Sequence, residues 1–147
     1  MTSEQITLVR STFGMVAPIA EQAAEIFYNR LFVLDPALRP LFTGDMKEQG
    51  RKLMAMLAMV VNGLDRFEQL TPAVRDLGRR HDNYAVKPND YDTVGAALLW
   101  TLEQGLGEAF TPDVKEAWTI AYGIVAATMI AGGRPAATPA PASVEAA

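Results

Sequence analysis

The sequence predicts an all-α domain, and three observations carry that expectation. Apolar residues recur at helical spacing through most of residues 3–131. No segment sustains the apolar–polar alternation of a strand, and no fixed-period repeat is present. Helix-opening signals recur as well: Thr71-Pro72 and Thr111-Pro112-Asp113 each place a capping hydroxyl before a proline at the first helical position.

Taken in order, Ser3 is the expected cap of a first helix carrying Ile6, Val9, Phe13 and Val16 on one face. Pro18 suits the first turn of the next, where Ala23, Ile26, Phe27, Arg30 and Leu31 keep the period until Asp35-Pro36 breaks it. A short turn over 37–42 leads through Thr43-Gly44-Asp45 to a helix over about 46–62, with Gly63 as its terminator. Thr71-Pro72 opens the helix that carries Val74, Leu77 and His81, and a loop closed by Pro88 follows. Asn89-Asp90 begins another through Val94, Leu98, Thr101 and Leu102, ending near Gly105 and Gly107. The last helix runs from Thr111 to about 131. Residues 1–133 are expected to form one domain, and 134–147, rich in proline and alanine without an apolar period, a disordered tail.

Composition narrows the function. Of 147 residues, 50% are hydrophobic and 20% charged, enough apolar side chains for a core. The net charge of −4 and the lack of a basic run argue against a nucleic-acid partner or an acidic membrane surface. With no cysteine, disulfides, thiolate metal sites and cysteine nucleophiles are excluded. The N-terminus lacks the basic and apolar regions of a signal peptide, and the least polar stretch, 117–133, falls short of the ~18 strongly apolar residues of a membrane span. A cytoplasmic protein is the expectation.

His81 is the only histidine, at the end of an apolar helical stripe. A lone imidazole cannot build a zinc cage, but it can be the single protein ligand of a haem iron, because the porphyrin supplies the other nitrogens. The alternative is an imidazole with no role. On the helix over 46–62, Gln49, Leu53, Met56 or Leu57, and Val60 share one face, apolar except for Gln49. Tyr28 offers a phenolic hydroxyl from an earlier helix, or is simply a core tyrosine. No carboxylate groups with His81 in a nucleophile–base pattern, and there is no glycine-rich phosphate loop.

These residues carry a resemblance. The stretches Ile26-Phe27-Tyr28-Asn29-Arg30-Leu31-Phe32, Gln49-Gly50-Arg51-Lys52-Leu53-Met54, Asp76-Leu77-Gly78-Arg79-Arg80-His81, 91–99 and 117–124 stand in the order and spacing of a bacterial single-domain haemoglobin. The chain resembles the Vitreoscilla-type haemoglobins and the haem domains of flavohaemoglobins, with some similarity to neuroglobin. The resemblance implies a globin fold, with helices packed around a haem b. It implies His81 as proximal iron ligand, Gln49 and Tyr28 as distal polar residues, Leu53 over the iron, and Phe42 packed on the porphyrin. Val86 would lie below the proximal side, and Lys52 near a haem propionate. Leu77 would offer a backbone carbonyl to the imidazole. Tyr91 keeps the family's proximal tyrosine, whereas Gly133 stands where that family has a glutamate. Losing that carboxylate makes the imidazole less anionic and argues against peroxidase-like chemistry.

The resemblance implies reversible binding of oxygen, with nitric oxide and carbon monoxide as further ligands. The alternative is nitric oxide dioxygenation dependent on a separate reductase, since no flavin or nicotinamide segment follows in this sequence. A haem-free interaction or sensor module and a low-spin electron carrier are the remaining readings. The carrier needs a second iron ligand, which would be Met56, Gln49 or Tyr28.

Overall fold

The computed structural model describes the backbone of residues 1–42, 44–82 and 88–133, and their side chains except at 41, 80–82, 88 and 89. Among the described residues there are six α-helices joined by short 3-10 turns and no strand. The expected tail over 134–147 lies outside them.

α1 (Ser3–Val16) starts at Ser3, its expected cap, so the cap lies one residue earlier. Thr2 is the cap: its hydroxyl accepts from the Gln5 N–H at 3.1 Å while Gln5 Oε1 accepts from the Thr2 N–H at 2.9 Å. Ser3 cannot make that reciprocal pair, because Ile6 stands three residues on. Pro18 sits in a 3-10 turn, Ala17–Ile19, and α2 (Ala20–Leu34) follows directly. Asp35 ends α2 and accepts from the Ala37 N–H at 3.1 Å, which starts the 3-10 turn Pro36–Leu41. Asp45 caps α3 (Met46–Asn62) through the Lys47 N–H at 3.0 Å, and Gly63 closes it.

The Thr71-Pro72 signal does not open a helix. A 3-10 turn, Leu64–Arg66, leads straight into α4 (Phe67–Asp82), and Pro72 lies in its second turn. A proline so near the N-terminus removes one backbone bond, the one to the Glu68 carbonyl, and Thr71 Oγ1 donates to the Phe67 carbonyl at 3.1 Å beside it. Phe67 and Leu70 are half-buried, and anchoring them adds the extra turn. α5 (Pro88–Leu106) starts at Pro88 rather than Asn89 and runs through Gly105; it stops at Gly107, whose φ of +56° is left-handed. α6 (Pro112–Gly133) opens where Thr111 predicts, with its hydroxyl accepting from the Val114 N–H at 3.3 Å.

α4 packs most extensively on α6, α2 on α5 and α3, and α1 on α6. The core between them includes Val9, Phe27, Leu31, Val74, Leu98 and Trp118, all nearly fully buried. Its polar groups are satisfied: the Trp118 indole N–H donates to Thr12 Oγ1 at 2.8 Å, and Thr12 donates to the Leu8 carbonyl at 2.7 Å.

Two crossings depend on glycine. A Cβ at Gly78 would lie 1.9 Å from the Met129 carbonyl oxygen, so α4 rests on the backbone of α6. A Cβ at Gly50 would lie 2.9 Å from Ala24 Cβ, where α3 crosses α2. Gly14, by contrast, has open space around it. Opposite signs are therefore expected on thermal or denaturant unfolding. Gly78→Ala destabilises by at least about 1–3 kcal/mol, the overpacking range. Gly14→Ala, in an exposed helix interior, stabilises by about 0.5–1 kcal/mol. Equal effects at the two positions would show that α4 and α6 do not touch at Gly78.

Candidate functional site

The α2–α3 crossing sets the geometry of the site. Ala24 and Gly50 allow the two helices to approach closely. Tyr28 is one turn beyond Ala24, and Gln49 directly precedes Gly50, so the crossing brings the phenol and the amide together. Tyr28 is buried, and the Gln49 side chain is the polar neighbour that acts on its hydroxyl. Burial pushes the Tyr28 hydroxyl up from 10.0 to about 12, and the nearby Gln49 side chain opposes that rise.

Aromatic rings surround the phenol. Phe27 and Phe42 meet it edge-on, with centroids 4.9 and 5.4 Å away, and Phe32 stacks at 6.2 Å. Phe42 also meets Phe32 edge-on at 5.4 Å. Phe32 was not singled out in the sequence; its signal is the i, i+4 spacing from Tyr28, which places both rings on one face of α2.

On α3, Leu53, Met54, Met56 and Leu57 are half-buried. Leu53 and Leu57 border a small apolar void of about 20 Å³ reaching Phe27, Leu98 and Trp118. Its polar neighbours are already bonded: Thr101 donates to the Ala97 carbonyl at 2.8 Å, and Trp118 to Thr12. Nothing there would hold a water. Lys52 points the other way, exposed and 4.0 Å from Glu48 one turn back.

On the remaining side, α4 carries the half-buried Leu77 and, in its last turn, the backbone of His81. The His81 side chain and all of Val86 lie outside the described residues. Tyr91 is buried, and its carbonyl accepts from the Tyr122 hydroxyl at 2.6 Å, fastening α6 to the start of α5. Burial is the main reason that the Tyr122 hydroxyl is held well above its usual range. Gly133 is the last residue of α6.

Residues 25–129 match the globin family. This chain is a globin. The neuroglobin of the fish Tetraodon nigroviridis is 30% identical over 146 residues, 90% of this chain and 92% of that one. A flavohemoprotein of Vibrio cholerae is 32% identical over 133 residues, 88% of this chain, yet the match spans only 34% of that protein. A bacterial globin structure from Campylobacter jejuni superposes with a TM-score of 0.79 at 26% identity, covering 90% of this chain and 96% of that one. No helix among the described residues is long and apolar enough to cross a membrane.

Haem is the cofactor that membership of the globin family implies, and the residues present fit it. The apolar face of α3 stays half-buried, and among the described residues its backbone comes close to α4 and α5 at few points. A flat apolar cofactor would cover such a face. The only histidine stands at the end of α4. Among the described residues no group of three His, Asp or Glu side chains competes as a metal cage.

The Tyr28 environment makes a prediction about alkaline pH. Its folded value lies above the unfolded one, so the stability from its neutral form is full below pH 10. That stability is lost as the pH rises from 10.0 to about 12. The slope over that window is roughly 1.4 kcal/mol per pH unit from this residue. In an ultraviolet tyrosinate titration, Tyr28→Phe should remove one group ionising near pH 12. If it removes a group titrating near 10, the hydroxyl is open to water.

Proposed function

We propose that this globin holds haem b through His81 and binds oxygen reversibly, with Tyr28 and Gln49 as the polar residues facing the gas. The haem supplies an iron that takes a diatomic ligand, nitric oxide and carbon monoxide as well as oxygen. Everything else is the work of the chain. The observation that carries the reading is a buried Tyr28 phenol, ringed by Phe27, Phe32 and Phe42, with Gln49 as its polar neighbour. Because burial raises its ionisation to about 12, the phenol stays protonated at neutral pH. A neutral donor in an aromatic surround favours a polar ligand over an apolar one. Phe42 and the half-buried α3 face would pack on the porphyrin, and Leu53 would limit the space above the iron. Val86 would pack on the proximal side beside His81, and the Leu77 carbonyl is the acceptor proposed for the imidazole N–H. Lys52, engaged at 4.0 Å with Glu48, would have to leave that pair to reach a propionate.

A second reading has one observation in its favour. The chain spans about a third of the flavohemoproteins it matches, 34% and 33% of the Vibrio cholerae and Bacillus subtilis proteins. Nitric oxide dioxygenation, with electrons from a separate reductase, is the corresponding activity. Repeated consumption of nitric oxide on adding a reductase favours it; a single turnover favours oxygen binding.

The distal pair is tested by oxygen release. Tyr28→Phe and Gln49→Leu should each speed dissociation by about two- to tenfold, the worth of one buried neutral hydrogen bond. The double variant should release faster than either. Carbon monoxide, less polar when bound, should respond less. Wild-type oxygen release in both single variants would sink the assignment.

A further inference from the structure

The geometry points to a second binding site, with neither Tyr28 nor Gln49 in its lining, for a small amphipathic carboxylate. It is an open groove of about 590 Å³ formed by α2, α5 and the start of α6. That volume lies within the range of small-molecule sites, roughly 300–1,000 Å³. Leu99, Phe110 and Trp100 give it an apolar wall, and Arg30, Lys115 and Glu103 supply its charges. Trp100 is 37% exposed, unusual for an indole without a partner surface.

Arg30 is the centre of the argument. Its guanidinium lies 4.1 Å over the Trp100 ring, so it is held in place by a cation–π contact rather than by an acid. Its Nε is buried and has no hydrogen-bond partner. Neither Arg30 nor Lys115 has an ion-pair partner among the described residues, although Glu103 borders the same groove. A guanidinium held over an indole is a preformed fork for a carboxylate. Two cations and one carboxylate leave a net charge of +1, which suits a monoanion. The apolar wall beside that charge suits an acyl or aromatic body attached to it. The recognised class is therefore a medium-chain or aromatic monocarboxylate, with its head between Arg30 and Lys115 and its body on Leu99, Phe110 and the free part of Trp100.

Octanoate and its uncharged counterpart 1-octanol are the probes, added to the haem-loaded chain. Indole N–H resonances report binding, with Trp100→Phe assigning the Trp100 signal. Octanoate should shift the Trp100 resonance saturably and leave the buried Trp118 resonance and the haem absorption unchanged. Octanol should bind at least tenfold more weakly. Lys115→Gln, an exposed change, should weaken octanoate severalfold, Arg30→Gln more, and Glu103→Gln should tighten it. Equal binding of octanol and octanoate, or indifference to both Lys115→Gln and Glu103→Gln, would overturn the carboxylate site. So would an octanoate response in the haem absorption without one at Trp100. None of these outcomes bears on oxygen binding.

Discussion

The close approach of α2 and α3 is the constraint on which the site depends. At Gly50 there is room for a hydrogen but not for a methyl, since Ala24 Cβ would stand 2.9 Å away. That short distance puts the neighbouring Gln49 within reach of Tyr28, one turn along α2. The amide is then the polar neighbour of a phenol that the rings of Phe27, Phe32 and Phe42 surround. A side chain at position 50 would separate the helices and, with them, the two polar groups. Sequence acts on function here through one missing atom.

A second close contact holds the other half. Gly78 lets α4 lie against the α6 backbone at Met129, three residues before His81. The Tyr122–Tyr91 bond, 2.6 Å long, ties α6 to the start of α5. α3 is thus carried by α2 and α1, and α4 by α6, and among the described residues the backbones of α3 and α4 come close at few points. The two helices that would face a haem from either side are positioned by different parts of the fold. Leu53, Met54, Met56 and Leu57 of α3 remain half-buried for the same reason.

Much of this was legible in the chain. Periodicity located all six helices, because each buries a stripe and helical spacing marks it. The resemblance names Tyr28 and Gln49 as distal residues, and what brings them near each other is the α2–α3 crossing at Ala24 and Gly50. Helix starts were read less well. Thr2 outdid Ser3 because only Thr2 has a glutamine three residues on, and Pro72 misled because tertiary anchoring of Phe67 and Leu70 began α4 earlier. The glycine crossings carry no local signal, since a glycine inside a helix looks the same whether it faces open solvent, like Gly14, or a carbonyl, like Gly78. The contact of Arg30 with Trp100 was equally hidden. It joins two helices distant in sequence, and the apolar period of α2 had absorbed Arg30 as one more face residue.

The central claim is that one imidazole, His81, anchors the cofactor of this globin. Absorption spectra of the ferric, ferrous and carbon-monoxide-saturated forms, recorded for the wild-type chain and for His81→Ala after equal haem loading, test it most directly. The wild type should give a histidine-ligated ferrous spectrum. The variant should lose most of its haem on gel filtration, or keep it without that spectrum. Unchanged spectra and full haem retention in His81→Ala would contradict the account.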